Sequence, residues 1–393
     1  MNRLIPILEK IIQFSLLIFA IFSLFSISIT QISFGIGSLS WLLKAYLTRA
    51  WREIRGTWVG IAILAFCLAY LISLTTAVDQ ESSIQYAKKL LQLIIFFWVA
   101  NTVQDEKQRN ILVSLVIFAA VVSAVNGIYW EIVTGRAWIR QTGTMSAAAT
   151  FSGLLMLTGL VTLGKFFFHE PKNFWLLGGV GIIIFCLMLV LARQSWLGFL
   201  VGVIFLVCFW RKKLLWVIPL ALVSIFLLSP PVYKDRIKSM IDVNSDRSLY
   251  IRKVVWSGGW EMFKDNPITG CGFKCVDAVH SSYPDPTGYI ALQRGMHSNI
   301  MQLLVDTGIV GFATWLSIWV AYFIQAFKYY QALARDKTPS NTKGLLLGSS
   351  AAVLSFLIGG FFESNFYDSE VIMLVYFIMG ISLAKVKNDP KVS

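Results

Sequence analysis

Charge is scarce in this 393-residue chain: 14% of residues are Asp, Glu, Lys or Arg, where a soluble domain carries about a quarter. The apolar share is 56% and the mean hydropathy is +0.68. No polar stretch is long enough to enclose a soluble core, which excludes the two or three soluble domains that length alone allows. Histidine is rarer still, with three residues, and no His, Cys and carboxylate cluster has ligand spacing, so a metal site is poorly supported. No GxxxxGK phosphate loop occurs, which argues against ATP-driven work. There is no internal repeat and no low-complexity tract. Of the five cysteines, Cys67, Cys186 and Cys208 fall in apolar runs, where a thiol behaves as a small hydrophobe. Cys271 and Cys275 share a long polar segment, where they either pair in an oxidising compartment or stay as thiols. The N-terminal stretch has no small-residue cleavage site, so it reads as leading into an uncleaved first span.

What is present is apolar sequence in blocks near 20 residues, the length that crosses a hydrocarbon core of about 30 Å. Hydropathy predicts spans near 11–29, 32–47, 57–77, 89–104, 111–132, 146–168, 174–192, 195–210, 214–230, 299–327, 344–362 and 370–386. The second and eighth are short enough for re-entrant segments. The fold class expected is therefore all-α and polytopic, about twelve transmembrane helices with a mostly helical periplasmic loop between the ninth and tenth. Three parts follow: a bundle of nine spans (1–230), the loop (231–298), and spans ten to twelve with a cytoplasmic C-terminus (299–393). An inside N-terminus puts 20 of the 34 basic residues on the inner side against 7 of the 21 acidic ones, and 14 of each outside. The excess of +13 is then a topology signal, and no nucleic-acid partner is needed to explain it.

The informative polar residues gather on the outer side. Arg193, in Leu-Ala-Arg-Gln-Ser-Trp, ends the seventh span, where it either snorkels beside Trp196 or serves a site. In the loop, Ser248–Phe263 has helical periodicity, with Val255, Trp256, Trp260 and Phe263 on one apolar face. Arg252 stands one turn before Trp256, close enough to stack. Asn266-Pro267 stops that helix, and Gly270 and Gly272 support a tight turn. The loop closes on His297-Ser298-Asn299. Of the histidines, His169 falls inside, while His280 and His297 fall outside. An imidazole at a water–membrane boundary can accept a proton from a hydroxyl, although a lone interfacial histidine is more often structural.

Taken in order, these pieces resemble the bacterial O-antigen ligase family. His297-Ser298, nine residues, then Gly308-Ile309-Val310-Gly311 fits its H-[NSQ]-x9-G-x-x-[GTY] signature. Arg193-x-x-Trp196-x-Gly198, Ser248-x-x-x-Arg252-x-x-x-Trp256 and Pro267-x-x-Gly270-x-Gly272 are similar to three more family features. The resemblance implies a membrane glycosyltransferase of the bacterial inner membrane with its active site facing the periplasm. Its donor would be a glycan on undecaprenyl diphosphate, its acceptor a sugar hydroxyl on lipid A–core, within membrane lipid and with no cofactor. It implies His297 as general base and Arg193 and Arg252 on the diphosphate, because guanidinium groups pair bidentately with phosphate oxygens. Arg247 competes with Arg252 for the loop position, but the spacing to Ser248 and Trp256 favours Arg252. Arg136 and Arg140, between the fifth and sixth spans, hold donor or acceptor phosphates or else face solvent. The loop is short for the family.

Two rivals stand beside that expectation. An O-antigen polymerase uses the same donor and differs only in acceptor. A transporter or lipid flippase requires ionisable residues deep in the spans and matching halves, whereas here the mid-spans are mostly uncharged and loop lengths uneven.

Overall fold

The computed structural model describes residues 4–50, 58–134, 142–169, 173–238, 247–283, 285–335, 340–384 and 386, and among them the fold is all-helical, without strands. The helices are α1 (Leu4–Phe22), α2 (Ile27–Leu47), α3 (Trp58–Thr75), α4 (Gln80–Ala87), α5 (Ile94–Thr102), α6 (Glu106–Thr134), α7 (Ala148–Phe168), α8 (Phe174–Leu189), α9 (Arg193–Trp210) and α10 (Val217–Leu228). The long connection carries α11 (Pro231–Lys238), α12 (Arg247–Asp265), α13 (Cys275–Val279) and α14 (Tyr289–Gln293). It is followed by α15 (Asn299–Arg335), α16 (Ser340–Gly359) and α17 (Ser369–Leu383).

Seven of these, α1, α3, α6, α7, α9, α15 and α16, are long and apolar enough to cross a membrane, against the twelve expected. The other five expected segments are also helical. Among them α8, α10 and α17 have 16, 12 and 15 residues, short of the roughly 20 a crossing needs. A 3-10 stretch at Lys88–Leu93 interrupts the segment that ends in α5. Neither α2 nor α9, the two short expected spans, is broken: they run for 21 and 18 residues. The first boundary falls earlier than hydropathy suggests, because the Ser26 hydroxyl accepts from the Ile29 amide and starts α2, satisfying one orphan donor of the helix end.

The buried middle is α7, α16 and α17; every residue of α17 from Val371 to Leu383 is buried. α7 and α16 meet through glycine. A Cβ on Gly164 would stand 2.4 Å from Cα of Gly348, the small-residue contact that lets helix backbones touch where no hydrophobic force favours one apolar neighbour over another. α9 joins them through Gly198, where a Cβ would lie 2.7 Å from the Ser355 carbonyl. Ser195 donates to Ser152 at 2.8 Å. These contacts bring the first turn of α9 to the end of α16, and so to the turn that follows it.

In α12 the helix expected over 248–263 is present, but its buried residues are Val255, Gly258, Gly259 and Met262, while Trp260 is exposed. The two glycines give the reason: Gly258 abuts Ile290 and Gly259 abuts Met296 and Met301, leaving no room there for a larger face.

Candidate active site

His297 sits where the long connection enters α15. Ser298 accepts from the Met301 amide at 3.4 Å and caps the helix. The Asn299 amide donates to the Gly360 carbonyl at 2.7 Å, and the Asn299 side chain accepts from the Phe366 amide at 2.9 Å. The start of α15 is thereby clamped to the turn between α16 and α17. His297 itself has a φ of +46°, a left-handed conformation uncommon for a residue with a side chain. Such a conformation persists only where the surroundings over-determine it, and they do. The Met296 amide donates to Gln302 at 2.9 Å, Gln302 donates to the buried Asp306 at 3.0 Å, and Tyr367 donates to Asp306 at 2.8 Å. From the other side, the Trp256 indole donates to the Met296 carbonyl at 2.7 Å.

Both ring nitrogens of His297 have partners: Nδ1 lies 3.4 Å from Oε1 of Glu363, and Nε2 lies 2.8 Å from Oε1 of Gln293. Arg252 reaches the same turn. Its Nε and Nη2 donate to the Phe362 carbonyl at 3.2 and 3.0 Å, and its Nη1 donates to the Ser248 hydroxyl at 2.6 Å. The ring of Trp256 faces that of Phe362, with centroids 6.3 Å apart. Burial pushes the Glu363 carboxyl up. The hydrogen bond from His297 and the positive charges of His297 and Arg252 outweigh it and hold the carboxyl below its ordinary value.

Of the other residues singled out from sequence, Arg193 opens α9 and is half-buried, and the carbonyl of the next residue lies 3.6 Å from the Cβ position of Gly359. Three separate stretches therefore converge on residues 359–367. Arg247 is the first residue of α12 and exposed, while Arg252 reaches the Phe362 carbonyl on the turn that carries Glu363. Arg136 and Arg140 lie outside the described residues. His280 is turned onto the carbonyls of Val276 and Asp277, a structural role. Cys271 and Cys275 are bridged. Among the described residues no three His, Cys, Asp or Glu side chains group as metal ligands.

The glycines of the two motifs form one structural device. α15 breaks at Gly308, with φ 62° and ψ −166°, and the helix loses the bonds from Ile309 and Val310 back to Val305 and Asp306. The segment 267–272 replaces both. Ile309 and Val310 donate to the carbonyls of Pro267 and Ile268 at 2.9 and 3.3 Å, and the amides of Cys271 and Gly272 donate to Val305 and Asp306 at 2.9 and 3.0 Å. The amides of Ile309 and Val310 and the carbonyls of Val305 and Asp306 are thus paired, as buried polar groups must be.

Sequence reasoning missed Glu363, Gln293 and the Phe362 carbonyl. Glu363 is 66 residues from His297, so no spacing rule connects them. The available signal was a carboxylate directly after an apolar span, in Gly359-Gly360-Phe361-Phe362-Glu363.

Helices able to span a membrane, with a histidine, an arginine and a carboxylate held on one interhelical turn, define a multi-pass membrane protein with a polar site at one end of its bundle. Residues 178–316 match the family model described as O-antigen ligase, so that segment is similar to the O-antigen ligase family. The matched segment runs from α8 into α15 and includes Arg193, Arg252, His297 and Gly308, while Glu363 lies beyond it. No curated protein matches the chain.

Proposed function

We propose that the protein transfers a glycan from undecaprenyl diphosphate to a sugar hydroxyl of lipid A–core at the periplasmic face of the inner membrane. The observation that carries this reading is the meeting of His297 and Arg252 on one turn, to which α9 also delivers the start of its Arg193 helix. In this reaction the acceptor hydroxyl loses its proton to His297 and its oxygen attacks the anomeric carbon. The bond from that carbon to the diphosphate breaks on the opposite side, which inverts the configuration. Charge develops on the departing diphosphate, and Arg193 and Arg252 stabilise it at the membrane edge, where the local dielectric strengthens the contact. No metal ion or nucleotide is required. Arg136 and Arg140 would hold further phosphates of donor or acceptor, and Arg247 and Trp256 would line the approach.

The test is transfer by purified protein supplied with undecaprenyl-diphosphate-linked glycan and rough lipopolysaccharide, with chelator present and ATP absent. Glycan on lipid A–core is the expected product. Glycan lengthening on its own carrier would make the protein a polymerase, and no transfer to either acceptor by folded protein would sink the reading.

The same assay checks the arginine. Arg252→Lys keeps the charge but loses the fork that grips Phe362 and Ser248 together, and lysine binds phosphate as a point charge only. Transfer is expected to fall about 100-fold, in the range seen when one preorganised donor is removed. Full activity in the lysine variant would show that charge alone suffices.

A further inference from the structure

The contact between Glu363 and His297 assigns the two ring nitrogens different tasks. An ionised carboxylate only accepts hydrogen bonds, and Glu363 is kept ionised by His297 and Arg252 against the effect of burial. Facing Nδ1 at 3.4 Å, it accepts the Nδ1 proton, and in a neutral imidazole that leaves the lone pair on Nε2. Nε2 in turn lies 2.8 Å from Oε1 of Gln293. A primary amide in this orientation offers its oxygen to an N–H and, after half a turn of its last torsion, its NH2 to a bare nitrogen. Gln293 therefore satisfies Nε2 in both protonation states. It is the last residue of α14, a five-residue helix flanked by left-handed Gly288 and Arg294 with φ of 69° and 49°.

We propose that Glu363 is the positioning carboxylate of the transfer site, fixing His297 with its proton on Nδ1, and that Gln293 occupies on Nε2 the place of the acceptor hydroxyl. The proposal rests on the glycosyl-transfer reading above. The hydroxyl displaces the Gln293 amide and hydrogen-bonds to Nε2. As its oxygen bonds to the anomeric carbon, its proton passes to Nε2 and the electron pair of the breaking carbon–oxygen bond leaves on the diphosphate. Glu363 keeps its charge throughout, touches no substrate, and stabilises the imidazolium that forms, as a carboxylate behind a catalytic histidine does.

The experiment uses the full chain in lipid nanodiscs with 15N-labelled histidine rings, in a His169→Gln, His280→Gln background so that His297 gives the lone signal. Above neutral pH the spectrum is expected to show the Nδ1–H tautomer. Glu363→Gln, nearly isosteric, should give mixed tautomers and lower kcat about 100-fold with acceptor KM changed less than about threefold, the scale of losing a partner that orients a functional histidine. Glu363→Asp should restore the tautomer and part of the rate, which a merely structural carboxylate would not link. Gln293→Ala should keep the tautomer and lower acceptor KM, since nothing then has to be displaced. An Nε2–H tautomer in the parent protein, or a Glu363→Gln variant with parental spectrum and rate, overturns the role of Glu363. A raised acceptor KM in Gln293→Ala overturns that of Gln293. A tautomer that depends on Glu363 in protein that transfers no glycan upholds the contact and removes the glycosyl-transfer reading instead.

Discussion

Replacing His297 with alanine is expected to cut glycan transfer about 100- to 10,000-fold, the usual worth of a positioned general base, with membrane insertion unchanged. The ring lies between Glu363 and Gln293, and its backbone is fixed by Met296, Ser298 and Asn299 through bonds the side chain does not make. Truncation therefore removes the base and leaves the entry to α15 in place. The left-handed backbone, φ +46°, makes alanine slightly strained, so asparagine is the better second variant, because it visits that conformation readily. Both should lose the same activity, measured as initial rates at matched protein in the membrane. A His297→Asn variant that transfers glycan normally would remove histidine from the chemistry and leave Arg252 and Arg193 to act by electrostatics alone.

The readable part of the site and the unreadable part differ for a physical reason. Helices declare themselves by blocks of apolar residues, so every expected span coincides with helix, and the helix expected over 248–263 from its periodicity is found at 247–265. Composition could not say which of those helices have the length to cross, nor that Gly258 and Gly259 rather than Trp260 face inward, since that depends on what packs opposite. Arg252 and His297 stood out because each sits inside a local pattern. Glu363 has no pattern around it: it is brought to His297 by the clamp between Asn299 and residues 360–366, a contact between the ends of different helices. The glycine motifs were legible as motifs, but not the work they do, which is to hold a broken helix together.

That device carries the largest structural effect expected here. Gly308→Ala should destabilise the docked segment by about 3 kcal/mol or more. A residue at φ 62° and ψ −166° is in a region that only glycine occupies freely, at a cost on the order of 1–3 kcal/mol for any other residue. The added Cβ would also stand 2.3 Å from the Ile268 carbonyl oxygen, a backbone atom that cannot swing aside, so overpacking adds a further cost of about 1–3 kcal/mol. Alanine relieves both by letting α15 run straight through 308 and remake its bonds from Ile309 and Val310 to Val305 and Asp306. The price falls on residues 267–272, whose amides and carbonyls then lose their partners. Hydrogen exchange of a peptide spanning 267–272 should rise about 100-fold, following the free energy of local opening, and transfer should fall with it because the Asp306–Gln302–Met296 chain supporting His297 starts at the break. Gly288→Ala is the comparison: its φ is +69° but no atom lies within 4 Å of the added Cβ, so only backbone strain of about 1–2 kcal/mol applies. Equal protection of 267–272 in the Gly308→Ala variant and the parent would mean that the segment is held by something other than the break, with Thr76, which donates to Thr269 at 2.8 Å, and Val78, whose amide donates to the Cys271 carbonyl at 2.9 Å, the contacts left to do it.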